Sequence, residues 1–329
     1  MHDVPVIDIG AFEGGDVAAR ARIAGAVARA VEEIGFLTIT GHGVPAPVID
    51  ATRRAAWDLF RLPEEAKQRW RHPSGNNNRG YTPMEAEHNG SSGGVKAPAD
   101  LREGFIFGPF DLPDAPRFTG PAAAYAYAPN IWPDAAPGVT AAFQAYYRAV
   151  DGFNTRLLRV FATALGLPAD YFADTFDHHA SVVRMLHYPA QAEAPPLGQL
   201  RCGAHSDFGS HTILLADDAP GGLQVRTRAG VWVDVVPPRD AFIINIGDMM
   251  MMWTNDRWLS NLHRVVNPPV RHDRSTERLS IAFFVHPRPD ATIECIPTCR
   301  ADGAPAHHQP VLAGDYRRMK VGSTVAAAQ

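Results

Sequence analysis

The spacing of apolar residues changes several times in the first 70 positions, and each change predicts a new element. Residues 4–9 are a short run rich in β-branched side chains, which is typical of a strand. The following stretch repeats apolar residues every three or four positions and stops at Gly35, so it predicts an amphipathic helix. Residues 36–40 alternate like a strand, and a second helix is expected over about 46–70.

The middle of the chain combines an irregular segment with a long periodic one. Residues 72–100 are rich in glycine, serine and asparagine and show no periodicity. A run of this length inside a compact chain is usually functional or disordered, so we expect a mobile segment. The helical period returns between Phe143 and Leu165 and ends at Gly166, which predicts one long helix.

From about residue 181 to residue 290, short apolar runs separated by turn residues replace the helical period. The runs are 181–188, 211–216, 222–227, 231–236, 241–246, 262–266 and 279–286. Short strands at regular spacing predict a sandwich or a barrel. We therefore expect an α+β, mainly β fold, in which a double-stranded β-helix (jelly roll) follows a helix-rich N-terminal half.

The same pattern divides the chain into four expected parts. A helix-rich N-terminal region covers 1–120, and a long connecting helix covers 121–175. The jelly-roll domain covers 176–290, and a C-terminal extension covers 291–329.

Composition and charge narrow the class of protein. The chain has 31 Lys+Arg against 35 Asp+Glu, and this net charge of −4 argues against nucleic-acid binding, which needs a basic surface. No stretch approaches the roughly 20 apolar residues of a membrane span, and the N-terminus lacks signal-peptide features. The 3 cysteines form no disulfide framework, which favours a reducing cytoplasm. The oligomeric state is not indicated.

The first candidate for chemistry is a set of three polar residues in the β-rich half. On extended backbone, His205 and Asp207 point to the same face, and His263 begins a later strand. A His-x-Asp triplet is common by chance, and a lone strand histidine is more often a core residue than a ligand. Together, however, two imidazoles and one carboxylate can hold one face of an octahedral ferrous ion and leave positions for substrates and dioxygen.

A second candidate is the pair Arg278 and Ser280, which also share one face of a strand. The planar guanidinium suits a carboxylate, and the hydroxyl adds a donor. The ordinary alternative is an exposed arginine and serine on an edge strand. The pair therefore predicts a carboxylate site without naming the carboxylate.

The conjunction of His-x-Asp, His and Arg-x-Ser, in that order, resembles the iron(II)/2-oxoglutarate-dependent dioxygenases, and within them the isopenicillin N synthase-like group. The likeness spans about residues 4–290. Other matching motifs are Gly35-Phe36-Leu37, Gly41-His42-Gly43-Val44, Asp100-Leu101-Arg102-Glu103-Gly104-Phe105, Asn130-Ile131-Trp132-Pro133, Gly221-Gly222-Leu223-Gln224-Val225 and His187-Tyr188-Pro189.

The resemblance implies a function and a role for each motif residue. It implies that His205, Asp207 and His263 bind Fe(II) and form the catalytic centre. Arg278 and Ser280 would hold the distal carboxylate of 2-oxoglutarate. The enzyme would oxidise a small metabolite by hydroxylation, desaturation or cyclisation, while dioxygen is consumed and 2-oxoglutarate becomes succinate and carbon dioxide.

The resemblance also implies a place for Tyr188, which matches a family tyrosine that approaches the co-substrate. The chain departs from many plant members at Leu186, where they carry asparagine two positions before this tyrosine. This departure weakens an assignment to the plant flavonoid or gibberellin enzymes.

Two alternatives remain open at this stage. Isopenicillin N synthase also retains Arg-x-Ser and uses it for its peptide substrate, so a 2-oxoglutarate-independent oxidase is the first alternative. A non-catalytic β-barrel binding module is the second, although the intact triad counts against it. Tyr81, Phe208 and Phe283 are candidates for the substrate pocket, and as core aromatics they would look the same. We expect the 72–100 segment to cover the mouth of the metal site.

Overall fold

A computed structural model of the chain shows its fold. It describes residues 4–74, 78–91, 97–120, 123–134, 137–217, 219, 222–269, 275–300 and 304–328.

The described helices are α1 (Val17–Glu33), α2 (Ala46–Phe60), α3 (Glu64–Gln68), α4 (Pro116–Thr119), α5 (Pro137–Ala164), α6 (Asp248–Trp253) and α7 (Ala313–Ala328). The described strands are β1 (Val6–Asp8), β2 (Phe36–Thr40), β3 (Gly80–Thr82), β4 (Glu103–Phe107), β5 (Val182–Tyr188), β6 (Cys202–His205), β7 (His211–Ala216), β8 (Leu223–Arg226), β9 (Trp232–Asp234), β10 (Phe242–Ile246), β11 (His263–Val265), β12 (Arg278–Val285), β13 (Thr292–Ile293) and β14 (Val311–Leu312). None of these helices combines the length and the apolar character that crossing a bilayer requires.

Local sequence explains where the N-terminal elements begin and end. The Asp16 carboxylate caps α1 by accepting a hydrogen bond from the Ala19 amide at 2.7 Å. After α1 the chain turns at Gly35, whose φ of +71° and contact with the Leu259 carbonyl leave no space for a side chain. The helix expected over 46–70 is wrong as a single element. It is two helices, because Pro63 disfavours helical backbone at the residue before it.

Two sheets form the jelly roll. The larger has eight strands in the order β1-β2-β10-β7-β12-β5-β4-β3, and the smaller has the order β6-β11-β8-β9. The larger sheet therefore joins strands of the helix-rich N-terminal half to strands of the β-rich half. A jelly-roll fold with a helix-rich N-terminal half is confirmed.

The two faces of the larger sheet contact different layers. Ile281 and Phe283 of β12 belong to the large apolar core, which α1, α2 and α5 share. The alternate positions face the smaller sheet, where Leu186 of β5 and Val265 of β11 join one apolar cluster. We call this second side the barrel interior. Side chains of the larger sheet that contact the smaller sheet therefore lie on the barrel-interior side.

Candidate active site

The three predicted metal ligands converge at one end of the smaller sheet. His205 ends β6 and pairs in register with His263 of β11, while Asp207 follows two residues after His205. The Nε2 atoms of His205 and His263 lie 3.8 and 3.7 Å from Asp207 Oδ1. The three ligand atoms all lie within 4.8 Å of one another. The structure thus brings together residues that are distant in sequence.

Backbone carbonyls orient both imidazoles. The Nδ1 atom of His205 lies 2.8 Å from the Gly203 carbonyl oxygen, and that of His263 lies 3.2 Å from the Asn261 oxygen. Because a carbonyl oxygen can only accept, each Nδ1 carries the proton and donates it. In the neutral imidazole this arrangement leaves the Nε2 lone pair directed toward Asp207, as metal-binding histidines need.

Asp207 is buried and held from one side. Its Oδ2 atom accepts hydrogen bonds from Thr212 Oγ1 at 2.5 Å and Asn245 Nδ2 at 2.7 Å, so Oδ1 is left facing the imidazoles. Burial raises the pKa of Asp207, but the two imidazoles and these hydrogen bonds outweigh it and the net pKa is lowered. The carboxyl is an anion at neutral pH.

His263 is in the protonation state that metal binding requires. Burial, reinforced by the neighbouring His205, lowers its pKa to about 4. A neutral imidazole beside a carboxylate can bind a divalent ion without first losing a proton. Two imidazoles and one carboxylate, with their lone pairs aimed at one point, fit the facial site of a non-haem ferrous ion.

A second polar site lies on β12 and β5. Arg278 pairs in register with Tyr188, and its guanidinium carbon lies 4.9 Å from the centre of the tyrosine ring. Arg278 and Ser280 are both buried on the barrel-interior side. Arg278 Nη1 has no hydrogen-bond partner among the described residues. A buried, unpartnered guanidinium nitrogen is costly, so this site fits a ligand that brings an oxygen acceptor.

Arg201 also lies beside this site, although no sequence pattern marks it. Arg201 is fully buried, donates to the Thr276 carbonyl and stacks over the Tyr188 ring, with its guanidinium carbon 5.8 Å from the ring centre. Burial, with Arg278 contributing, lowers the pKa of Arg201 to about 10, so Arg201 is charged at neutral pH beside the Arg278 guanidinium. Their two positive charges make this end of the barrel favourable for a carboxylate.

The structure separates the three aromatic candidates for the substrate pocket. Phe208 follows Asp207, is half-buried, and lies with its ring centre 5.0 Å from Lys320 Nζ. Tyr81 and Phe283 do not face the barrel interior. The Tyr81 hydroxyl donates to Glu103 on the helix side, and the Phe283 ring packs edge-on against Tyr147.

Strand alternation determines which residues of β12 face the barrel interior. Arg278 and Ser280 face the barrel interior, so positions 282 and 284 do as well. Phe284, which pairs with Thr212 of β7, therefore replaces Phe283 as the aromatic residue beside the site. Phe284 could have been predicted from the sequence, because every second residue after Arg278 lies on the same face of the strand.

Part of the predicted cover lies outside the described residues, namely 75–77 and 92–96. The described part includes a short 3₁₀ turn, Asn89–Ser91, which packs on β6. A side chain at Gly203 would overlap the backbone of Gly90, so the two glycines allow this contact. The Asp100 carboxylate accepts hydrogen bonds from the Gly203 amide and from Asn89 Nδ2. The segment thus borders the strand that carries His205, and its mobility stays a prediction.

Comparison with known proteins agrees with this geometry. Residues 179–287 match the 2OG-Fe(II) oxygenase superfamily, and residues 4–135 match the N-terminal region of the non-haem dioxygenases of morphine synthesis. The 2-oxoglutarate-Fe(II) type oxidoreductase hxnY of Emericella nidulans is 33% identical over 318 residues, which cover 95% of this chain and 88% of that protein.

Two solved structures have the same fold. A putative 2OG-Fe(II) oxygenase from Caulobacter crescentus is 30% identical, with a TM-score of 0.84 and coverage of 98% of this chain and 99% of that one. A Neurospora crassa protein in complex with alpha-KG (2-oxoglutarate) and thymine is 28% identical, with a TM-score of 0.83 and coverage of 98% and 97%.

The chain therefore belongs to the isopenicillin N synthase-like family of 2OG-Fe(II) oxygenases. It is an oxidoreductase that depends on Fe(II), 2-oxoglutarate and dioxygen and acts on a small molecule.

Proposed function

We propose that His205, Asp207 and His263 are the ligands of the Fe(II) ion. The observation that carries this assignment is the convergence of two imidazole Nε2 atoms on Asp207 Oδ1, with every other polar atom of the three groups held by the protein. When bound, the ion activates dioxygen with electrons from 2-oxoglutarate. The chain orients the ligands, and it keeps Asp207 charged and His263 neutral, as metal binding requires.

We also propose that Arg278, Ser280 and Tyr188 bind the distal carboxylate of 2-oxoglutarate. The unpartnered Arg278 Nη1 supports this role, as do the buried Ser280 hydroxyl and the second positive charge of Arg201. The organic substrate would then bind on the barrel-interior side near Phe208 and Phe284. The free thiols of all three cysteines support a reducing, cytoplasmic location.

Anaerobic titration of the Fe(II)-loaded protein with 2-oxoglutarate tests both assignments. We expect a visible charge-transfer band in the wild type and in the control Arg69→Leu, since Arg69 lies on the surface in an exposed ion pair. Asp207→Ala should abolish the band. Arg278→Leu should weaken 2-oxoglutarate binding by roughly tenfold or more, because charge-assisted hydrogen bonds contribute about 1.5–3 kcal/mol each.

Two results would contradict the assignments. A full band in Asp207→Ala would remove that residue from the metal site. Unchanged 2-oxoglutarate affinity in Arg278→Leu would mean that Arg278 holds a different carboxylate, as it would in a 2-oxoglutarate-independent oxidase. Arg278→Lys should rescue only partly, because an ammonium lacks the planar fork.

A further inference from the structure

A charged side chain on the barrel-interior side has no part in the assignments above. Arg184 of β5 pairs in register with Ala282 of β12 and Ile106 of β4, so it lies on the same face as Arg278 and Ser280. Its side chain is only 14% exposed. A charged side chain in the interior of a barrel is costly unless it is paired and its donors are hydrogen-bonded.

Its position along the strand places Arg184 between the two halves of the active site. The register pairs Tyr188 with Arg278, and Ser280 with Leu186, two residues further along β5. Arg184 is the next residue on that face, about 6.6 Å further on. The next interior-facing residue of β12 after Ala282 is Phe284. It pairs with Thr212 of β7, whose hydroxyl donates a hydrogen bond to Asp207. Along the strands, Arg184 thus lies between Arg278 and Ser280, the proposed 2-oxoglutarate anchor, and Phe284, which lies beside the metal ligands.

The neighbouring strand leaves room for the guanidinium. Gly104 of β4 pairs with Leu186, and a Cβ atom at this glycine would lie 3.6 Å from Arg184 Nε and 3.2 Å from the Met185 carbonyl oxygen. A larger side chain at this position would compete with the guanidinium for the space.

The hydrogen-bonding capacity of Arg184 is not used up. Its Nη2 atom lies 2.5 Å from Glu87 Oε2, and the same oxygen lies 3.0 Å from Arg102 Nη2, so one carboxylate oxygen serves two guanidinium groups. The contact of Arg184 with Glu87 lacks hydrogen-bond alignment, and Arg184 Nε has no hydrogen-bond partner among the described residues. Buried donors of this kind are normally satisfied, and here a bound acceptor would satisfy them.

An apolar surface lies beside this polar group. Phe284 is only half-buried although it is in the middle of the eight-stranded sheet, so its ring borders open space. Ala282 of β12 pairs with Arg184, so only a methyl group lies on this face of β12 between Ser280 and Phe284. Donors at one end and an aromatic face at the other are typical of a site for a small ring compound.

We propose that Arg184 is a specificity-determining residue that anchors the organic substrate, and that this substrate is a small ring compound with a carbonyl or carboxylate oxygen. The inference rests on the proposed function, because it places the substrate beside the assigned metal and 2-oxoglutarate sites. The ring lies against Phe284, and its oxygen accepts from Arg184 Nε and Nη2.

Three probes of similar size test the proposal on Ni(II)-substituted protein with 2-oxoglutarate bound. Benzoate carries a ring carboxylate, 2-pyridone carries a ring carbonyl, and toluene carries neither. Ligand-detected NMR should show that benzoate or 2-pyridone binds roughly tenfold or more tightly than toluene. A preference for benzoate identifies an anionic substrate, and a preference for 2-pyridone a neutral one.

Variants separate recognition from a structural role. Arg184→Met should remove the preference over toluene and leave 2-oxoglutarate affinity unchanged. Arg184→Lys, which keeps the charge near Glu87, should reduce the preference only partly. Arg22→Met on the exposed face of α1 is the control and should bind the probes like the wild type.

The proposal is overturned if the wild type binds 2-oxoglutarate normally but does not prefer either oxygen-bearing probe. It is also overturned if the preference survives in both Arg184 variants, since Arg184 would then only tie Glu87 to the sheet. Loss of 2-oxoglutarate binding in the wild type would instead contradict the proposed function.

Discussion

Phe283 and Phe284 are adjacent on β12, yet their rings lie on opposite faces of the eight-stranded sheet. Phe283 is fully buried in the core that the sheet shares with α5, where its ring centre lies 5.1 Å from that of Tyr147. Phe284 faces the barrel interior beside Thr212, which holds Asp207. One residue thus contributes to stability and its neighbour to the surroundings of the metal site.

Alanine substitutions should separate these two roles. Phe283→Ala should lower the free energy of unfolding by about 3–5 kcal/mol, because it leaves a cavity in a packed core. Phe284→Ala should cost less, since this residue is not fully buried, but it should raise the fraction of 2-oxoglutarate consumed without substrate oxidation. Chemical denaturation and the ratio of succinate to oxidised product measure the two effects. Equal destabilisation with unchanged coupling would contradict this division.

The hydrogen bond from Asn245 to Asp207 predicts an effect on metal affinity. Asn245 Nδ2 donates to Asp207 Oδ2 at 2.7 Å and so directs Oδ1 toward the imidazoles. Asn245→Ala should weaken Fe(II) binding by about 10–100-fold, as the loss of such supporting contacts does at other metal sites. Asn267→Ala, which removes an amide donor to the Gln199 carbonyl, is the control. Equal metal affinity in the two variants would show that Asn245 does not orient the ligand.

A buried ion pair on the helix side of the sheet predicts a double-mutant result. Lys67 Nζ lies 2.6 Å from Glu103 Oε2, and Tyr81 and His187 also contact this carboxylate. Glu103→Gln should destabilise the protein by about 3–5 kcal/mol, because it leaves a buried ammonium without this partner. Adding Lys67→Met should recover most of the loss. Additive losses in the double variant would show that the pair is not coupled.

The buried His211 predicts how stability depends on pH. Burial, with His179 adding to it, lowers the pKa of His211 to about 3, against about 6.5 in the unfolded chain. Between these values the unfolded state binds more protons, so this contribution is complete above about pH 6.5 and decreases as the pH falls toward 3. The slope of stability against pH from this group should be about 1.4 kcal/mol per pH unit in the wild type and absent in His211→Asn, so it should appear in the difference between the two curves. Parallel wild-type and variant curves between pH 4 and 6 would contradict this.

Regular spacing of apolar residues predicts much of this fold, but elements in regions without such spacing are not predicted. The seven strand runs between 181 and 290 correspond to β5 and β7–β12 within a few residues. Each of these strands is a short apolar run that turn residues bound on both sides. The sequence pattern does not predict the strands β3, β4, β6, β13 and β14 or the helices α4, α6 and α7. Three residues in β3 are too few for a periodic signal, and β4 is held by its neighbours β3 and β5. The polar α7 lacks an apolar stripe.

In the candidate site, too, local sequence predicts some residues and tertiary packing places the others. Arg278 and Ser280, two residues apart on β12, are placed together by extended backbone alone. Asp207 lies two residues beyond His205, the last residue of β6, and meets it at the end of that strand. Arg201 and Arg184 come close to the site only through tertiary packing. Tyr81 is a pocket candidate from the sequence, but pairing of β3 with β4 turns its ring to the helix side of the sheet, which local sequence does not reveal.

The most direct test of the account is the measurement of oxygen consumed and succinate formed by the Fe(II)-loaded protein with a panel of small metabolites. We predict that oxygen uptake requires added 2-oxoglutarate, that one succinate forms for each dioxygen consumed, and that Arg278→Leu needs more 2-oxoglutarate to reach the same rate. Stoichiometric oxygen uptake with an organic substrate and iron alone, with no succinate formed, would contradict the account.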